Sequence, residues 1–144
     1  MSDNIKELLT YSRSLKILFA EDNYDVRVQL IKLLENFFSN IDVEIDGQDA
    51  YDKYINHKEE SGNFYDLIIT DLSMPRLDGL EFCKMVMEEN PNQIILVISA
   101  HTESEKLLQL IDIGIYKFLQ KPVDYKDLLN TLTSIISKIK KDKE

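Results

Sequence analysis

Five short runs of residues with the character of β-strands occur along the chain, and each is followed by a segment with helical character. Most of the runs are unbroken rather than alternating in polarity, as in "KILFA" and "LIIT", which is typical of strands buried on both faces of a sheet. They span residues 16–20, 42–45, 65–70, 93–100 and 117–120. Strands that alternate with helices in this way predict a parallel sheet with right-handed crossovers and helices on both faces. The sequence therefore predicts an α/β domain.

The segments that follow the runs are predicted to be helical from their apolar spacing or their polar composition. They span residues 25–38, 49–60, 79–90, 103–113 and 124–141. Asp25 is placed to cap the start of the first helix, and Gly62 and Gly114 are placed to end the second and the fourth. The second helix is rich in charged residues, so His57 within it is expected to be exposed to solvent.

The composition narrows the classes of function. A chain of 144 residues is long enough for one domain with a sizeable core. Its net charge of −9 argues against broad binding to nucleic acid or to anionic lipid. The apolar runs are too short to insert into a membrane, and the N-terminus lacks the apolar core of a signal peptide. A single cysteine, Cys83, excludes an intramolecular disulfide and suits a cytoplasmic location.

Polar residues that could carry chemistry follow the strands at the points where the strands end. Glu21 and Asp22 follow the first strand, Asp71 the third, and Lys121 the fifth, while Ser99 stands near the end of the fourth. Ligands of parallel sheets bind beyond the carboxyl ends of the strands, so these side chains are expected to converge.

Three carboxylates at one edge repel one another and should raise one another's pKa values. A hard divalent cation removes this repulsion, and Mg²⁺ prefers such oxygen ligands. A carboxylate next to a metal and a lysine is the arrangement that phosphoryl transfer needs. The sequence therefore predicts that Asp71 ends a buried strand because a nucleophile must be held rigidly and still be open to solvent.

The motifs at the strand ends stand in a fixed order along the chain. They are Glu21-Asp22, Asp71, "MPRLDG" (74–79), Ser99-Ala100, and Phe118 ahead of Lys121-Pro122. Together they resemble the receiver domain of two-component response regulators, a chemotaxis-regulator-like family, over roughly Ser14 to Lys141. The resemblance implies a flavodoxin-like (βα)5 fold, a doubly wound parallel sheet with strand order 2-1-3-4-5. It divides the chain into an N-terminal extension (1–13), a receiver domain (14–141) and a tail (142–144).

The resemblance also implies roles for the acidic residues. Asp71 matches the aspartate that accepts a phosphoryl group. Asp22 and Asp71 match direct Mg²⁺ ligands, and Glu21 matches a ligand that acts largely through water. The backbone carbonyl of Ser73 falls at the position of the third protein ligand.

Further roles follow for residues of the fourth and fifth strands. Ser99 matches the hydroxyl that bonds a phosphoryl oxygen, and Lys121 matches the cation that pairs with it. The bond before Pro122 matches one that is cis in the family. Phe118 matches an aromatic switch that turns when Ser99 moves toward the phosphoryl group. Phe118 lacks the hydroxyl of the frequent tyrosine, so it can offer no hydrogen bond in the switch.

The implied function is phosphorelay signal transduction. The donor would be a sensor histidine kinase or a phosphotransfer protein. The surface around the fourth predicted helix and the fifth strand would then control a downstream protein or an output domain, and a homodimer through this helix is a further candidate. The chain would catalyse its own phosphoryl transfer and dephosphorylation only, and no direct contact with nucleic acid is implied. Ser73 and His101 occupy positions that influence the phosphoryl lifetime in the family.

Two other classes of function remain open. An aspartate phosphohydrolase is disfavoured, because such enzymes show Asp-x-Asp and here Leu72-Ser73 follow Asp71. A pseudo-receiver, which binds partners without phosphorylation, is disfavoured by the intact set of acids, serine and lysine. In the extension, Ile5, Leu8 and Leu9 could line one face of a short helix, and a frayed leader and a packing or dimer contact are equally supported.

Overall fold

The five predicted strands form a central sheet, and helices cover both of its faces. The computed structural model describes residues 2–100 and 103–144, so the predicted role of His101 lies outside the described residues. In chain order the elements are α1 (Ser2–Ser12), β1 (Lys16–Ala20), α2 (Tyr24–Leu34), β2 (Asn40–Glu44), α3 (Gly47–Ser61), β3 (Leu67–Thr70), α4 (Gly79–Glu89), β4 (Ile95–Ser99), α5 (Ser104–Ile113), β5 (Lys117–Gln120) and α6 (Tyr125–Asp142).

The strands pair in the order β2-β1-β3-β4-β5, and every pair is parallel. Phe19 of the central strand β1 lies opposite Val43 of β2 and Ile69 of β3. This topology confirms the predicted flavodoxin-like fold and its strand order. It also brings the ends of β1, β3, β4 and β5 to one edge of the sheet.

Successive side chains of the inner strands divide between two cores. Ile17 and Phe19 join the core on one face, whereas Leu18 and Ala20 join the core on the other. Because side chains alternate between the faces of a strand, both positions must be apolar when helices cover both faces. The edge strands β2 and β5 are only partly buried, since each lacks a neighbour on one side.

The first predicted helix differs from the structure at both of its ends. Asn23, rather than Asp25, caps α2, because its side chain accepts a hydrogen bond from the amide of Val26. The helix ends at Leu34 instead of continuing to residue 38. Phe37 and Phe38 follow in a turn, and their side chains are buried in the first core. Their apolar character fits the helical pattern, but here it reflects burial beyond the helix.

Helix α1, at the amino-terminal end of the chain, packs against α6. Leu8 and Leu9 are partly buried against the first core. The hydroxyl of Ser12 is fully buried, 2.5 Å from the carbonyl oxygen of Phe37 and 2.8 Å from that of Leu9. The guanidinium of Arg13 donates to carbonyls in the turn that follows α2. The extension is thus tied to the sheet domain through side chains, and the predicted dimer contact stays a prediction.

Candidate functional site

Three carboxylates meet beyond the carboxyl ends of the neighbouring strands β1 and β3. Glu21, Asp22 and Asp71 each offer an oxygen atom, and these oxygens all lie within 4.8 Å of one another. Glu21 is 1% exposed and Asp71 6% exposed, whereas Asp22 is exposed. We refer to these three residues as the acidic pocket. The pocket is therefore walled by protein on one side and open to solvent on the other.

The side chain of Lys121 crosses from the end of β5 to the acidic pocket. Its ammonium lies 2.6 Å from Oε1 of Glu21 and 3.0 Å from Oδ2 of Asp71. The backbone amide of Lys121 donates to the carbonyl oxygen of Ser99 at 3.0 Å, and the Lys121–Pro122 peptide bond is cis. One cation thus pairs with two of the three carboxylates.

Burial and charge act on these groups in opposite directions. Burial raises the pKa of Glu21 above its ordinary value, the hydrogen bond from Lys121 opposes this, and the charge of Asp71 adds to it. Burial by itself would lower the pKa of Lys121, but the hydrogen bonds to Glu21 and Asp71 and the negative charges of these two groups together outweigh burial and raise that pKa. The lysine is therefore held as a cation, and the expected repulsion between carboxylates is visible at Glu21.

The loop between β1 and α2 is held by hydrogen bonds to its own backbone. Oε2 of Glu21 accepts from the amide of Asn23 at 3.2 Å. Arg27 donates to the carbonyl oxygens of Glu21 at 3.0 Å and of Asp22 at 3.2 Å. Arg27 therefore fixes the loop that carries two of the acids. Sequence reasoning missed it, since an arginine in the first turns of a helix has no distinctive pattern.

Asp71 is held by the residue that follows it, by the neighbouring strand β1 and by the start of α4. Its Oδ1 accepts from the amide of Leu72 at 2.7 Å, and its backbone amide donates to the carbonyl of Ala20. A Cβ atom on Gly79, the first residue of α4, would lie 2.1 Å from the carbonyl oxygen of Asp71. Glycine is thus required where α4 approaches the end of β3 so closely.

The family profile of the response regulator receiver domain matches residues 17–133. The chain belongs to this family. Receiver domains are signal transducers of two-component systems, and their general features are phosphorylation on an aspartate and Mg²⁺ binding at an acidic pocket. The family interacts with kinases and with output targets.

Known proteins similar to this receiver domain agree with the assignment. The response regulator ArlR of Staphylococcus aureus is 33% identical over 123 residues, and the match covers 84% of this chain and 52% of ArlR. The chain thus spans about half the length of the curated relatives that it matches.

Solved structures superpose on the receiver domain over most of its length. The N-terminal domain of an uncharacterised protein from Wolinella succinogenes gives a TM-score of 0.78 at 33% identity, covering 91% of this chain and 100% of that one. A chain of the CheX–CheY–BeF3–Mg²⁺ complex from Borrelia burgdorferi gives 0.75 at 27% identity, covering 84% and 88%.

The remaining predicted residues of the receiver domain lie around the acidic pocket or behind it. Ser99 ends β4, next to β3, and is fully buried. Ser73 is exposed in the loop two residues after Asp71. Phe118 is partly buried and packs against the core that contains α4 and the buried residue of α5. Lys121 thus contacts Glu21 and Asp71 directly, whereas the ring of Phe118 belongs to the packing of the sheet.

The donor set of the acidic pocket fits Mg²⁺. Carboxylate oxygens are the ligands that Mg²⁺ prefers, and one or two of them with several waters are its usual protein environment. The exposed Asp22 leaves room for such waters. In the described ranges 2–100 and 103–144, no helix combines the length and the apolar character needed to cross a membrane.

Proposed function

We propose that the chain is a phosphorelay receiver in which Asp71 accepts a phosphoryl group with the help of Mg²⁺. The single observation that supports this most is the contact set of Asp71. Its carboxylate is one of the three in the acidic pocket and is paired with Lys121 at 3.0 Å. A carboxylate that was merely structural would not need two further acids beside it and a partly buried cation against it.

The side chains of the pocket suit an in-line transfer. A carboxylate oxygen of Asp71 would form a bond to phosphorus while the bond from phosphorus to the histidine nitrogen of the donor breaks. Lys121 can pair with a phosphoryl oxygen from its present position, because its ammonium already contacts the accepting group. The hydroxyl of Ser99, at the end of the adjacent strand, is the proposed hydrogen-bond donor to another oxygen.

The proposed Mg²⁺ site uses Asp22, Asp71, Glu21 through water, and the carbonyl of Ser73. Bound there, the ion would supply positive charge to the phosphoryl oxygens in the transition state. The chain itself contributes the fixed positions of these ligands. Arg27 holds the loop that carries Glu21 and Asp22, and the close approach of Gly79 holds the backbone of Asp71.

The proposed output surface is formed by α5 and β5, which correspond to the fourth predicted helix and the fifth strand. Helix α5 buries only Leu110 completely, while Leu108 and Ile111 are 61% and 66% exposed. A helix with so few buried contacts can shift at small energetic expense. Ser99 and Phe118 are the proposed switch residues, and the surface would contact a downstream protein or an output domain.

The proposed partners are a sensor histidine kinase or a phosphotransfer protein on the input side. We also propose a homodimer through α5. The proposed division of the chain is an N-terminal extension (residues 1–13), the receiver domain (14–141) and a tail (142–144). The cytoplasmic location stays a prediction.

The deciding experiment measures the mass of the intact protein after incubation with acetyl phosphate and Mg²⁺. We expect one added phosphoryl group on the wild type, and none on Asp71→Asn or in the presence of EDTA. Asp25→Asn is a matched control, because it makes the same chemical change at an exposed aspartate near the same edge. It should be phosphorylated like the wild type.

Other outcomes would point to the alternatives. No adduct with acetyl phosphate, together with no beryllofluoride binding, would replace this proposal with the pseudo-receiver, whose partners bind without phosphorylation. Steady turnover of a phosphate ester would instead indicate an aspartate phosphohydrolase.

A further inference from the structure

The loop between β3 and α4 is closed at its base. The amide of Gly79 donates to the carbonyl of Leu72 at 2.8 Å, so the two ends of the loop are bonded to each other. Leu72 and Met74 are buried in the second core, and Ser73 between them is exposed. The position of Ser73 therefore depends on how the rest of this closed loop is held.

The tip of the loop contains a turn that L-residues rarely adopt. Arg76 has φ = +67°, and the amide of Leu77 donates to the carbonyl of Pro75 at 2.8 Å. A hydrogen bond from the amide of one residue to the carbonyl two positions earlier, with a positive φ at the residue between them, forms the rare and strained type of γ-turn. A conformation of this kind persists only where its surroundings hold it.

The side chain of Arg76 supplies such support by reaching across to the start of α3. Its guanidinium lies 3.3 Å from Oδ2 of Asp46 and 3.0 Å from Oδ1 of Asp49. Asp46 is itself fixed, because its side chain is 8% exposed and caps α3 through the amide of Asp49. The guanidinium thus contacts one buried, capping carboxylate, that of Asp46, and one exposed carboxylate, that of Asp49, at the same helix start.

The backbone of the loop meets the same helix start directly. A Cβ atom on Gly47 would lie 1.8 Å from the carbonyl oxygen of Leu77, so the tip of the loop rests on the backbone of α3. Two independent contacts, one ionic and one steric, therefore join this loop to the start of α3.

We propose that Arg76 is a positioning residue for the Mg²⁺ site, because its ion pairs with Asp46 and Asp49 hold the γ-turn and thereby the loop that presents Ser73. This inference rests on the proposed function. Arg76 does not touch the reacting atoms, and its effect passes through the backbone from residue 76 to residue 73.

A positioning role and a simple charge effect predict opposite changes in Mg²⁺ affinity when Arg76 is lost. Loss of Arg76 makes its surroundings more negative, which by charge alone would tighten the binding of a cation. Loss of positioning would weaken that binding instead. Arg76→Asn separates the two effects, since asparagine tolerates a positive φ but cannot form the ion pairs.

The test measures the dissociation constant of Mg²⁺ for the unphosphorylated full chain by isothermal titration calorimetry. We expect Arg76→Asn to raise it by about tenfold, at the low end of the range for groups that support metal ligands from behind. Arg76→Lys keeps a cation and should recover most of the affinity. Lys84→Gln is the matched control, because it removes an exposed cation from an ion pair with Glu81 on α4. It should leave the constant unchanged or lower it slightly.

A second variant keeps the inference testable if Arg76→Asn does not fold. Asp49→Asn removes one partner of Arg76 and keeps Asp46 as the cap of α3, and it should also weaken Mg²⁺ binding. Because Arg76→Asn and Asp49→Asn change the net charge in opposite directions, a shared weakening excludes a charge effect. Urea unfolding without Mg²⁺ checks that each variant is folded.

The remaining outcomes overturn the inference in distinguishable ways. If the wild type binds Mg²⁺ and Arg76→Asn binds it equally well or more tightly, the ion pairs are ordinary surface contacts and the positioning role is wrong. If the wild type binds no Mg²⁺, the proposed function fails first and this inference fails with it.

Discussion

The imidazole of His57 lies against the ring of Tyr65, with 4.2 Å between the ring centroids. Tyr65 in turn donates to the carboxylate of Asp42 at 2.6 Å. Burial lowers the pKa of His57 below its ordinary value of 6.5, and the ammonium of Lys16 lowers it further, whereas Asp42 and Asp66 oppose this shift. The expectation that His57 is exposed is therefore wrong in part, because the side chain is half-buried on an aromatic neighbour.

This histidine makes the stability of the fold depend on pH. When its pKa is lower in the folded state, the unfolded chain takes up the proton first as the pH falls through 6.5. The folded wild type should therefore lose stability between about pH 7.5 and about pH 5.5, within the range where histidine titrates. The variant His57→Phe keeps a ring against Tyr65 but does not titrate, so it should lose less over this interval.

The measurement compares urea midpoints of the wild type and His57→Phe at several pH values. All other titrating groups are shared, so the difference between the two proteins reports on His57. Two curves that run parallel over the whole interval would contradict the prediction.

At this scale the sequence predicted which polar side chains lie together at the edge of the sheet, but not the residues that support them. Glu21, Asp71 and Lys121 could be found because the ends of parallel strands meet at one edge. Arg27 and Arg76 could not be found, because one acts on backbone carbonyls and the other depends on a positive φ. Neither property has a pattern in the residue order.

Among the elements, α1 raises the question of whether the extension belongs to the folded domain. The buried hydroxyl of Ser12 bonds a carbonyl across the junction with the turn after α2. Ser12→Ala would leave the buried carbonyl of Phe37 without this donor. We expect a loss of about 1–3 kcal/mol in the free energy of unfolding, measured by urea denaturation.

Ser14→Ala is the matched control for this substitution. The hydroxyl of Ser14 also bonds a backbone carbonyl, that of Tyr11, but it is exposed, so water replaces it. The expected change is within about 0.5 kcal/mol. Equal effects of the two substitutions would mean that the buried hydrogen bond of Ser12 does not stabilise the junction between α1 and the sheet domain.

The elements themselves followed from the sequence more reliably than their ends. The unbroken runs located the strands because both faces of the sheet are covered. The end of α2 was predicted too late, since Phe37 and Phe38 continue the helical spacing although they are buried in a turn. A residue that packs on a core after its helix has ended is indistinguishable, in sequence, from one more helical turn.

For the whole molecule, the net charge of −9 and the acidic pocket together predict that Mg²⁺ stabilises the fold. A ligand that binds the folded state alone adds about 2.7 kcal/mol to the free energy of unfolding at about 100 times its Kd. Asp22→Asn removes the exposed carboxylate of the acidic pocket. Each tenfold loss of affinity should reduce the stabilisation by about 1.4 kcal/mol, as measured by thermal unfolding with and without Mg²⁺.

General screening of the acidic surface must be separated from binding at the pocket. Glu59→Gln removes one charge from an exposed position on α3, and sodium chloride supplies a matched ionic strength. If Asp22→Asn responds to Mg²⁺ as strongly as Glu59→Gln does, the stabilisation does not come from the acidic pocket.

The hydrogen bond between Lys121 and Glu21 joins residues that are 100 positions apart in the chain. During synthesis the carboxylates emerge first, and their cation follows only with β5, which needs β4 as its neighbour in the sheet. Contacts of such long range are slow to form, because the chain between the two residues must first be closed into a loop. A nascent or truncated chain therefore carries the proposed acceptor, Asp71, before it carries Lys121. On the proposed function, competence to accept a phosphoryl group is complete only when β5 has formed, rather than growing with the length of the polypeptide.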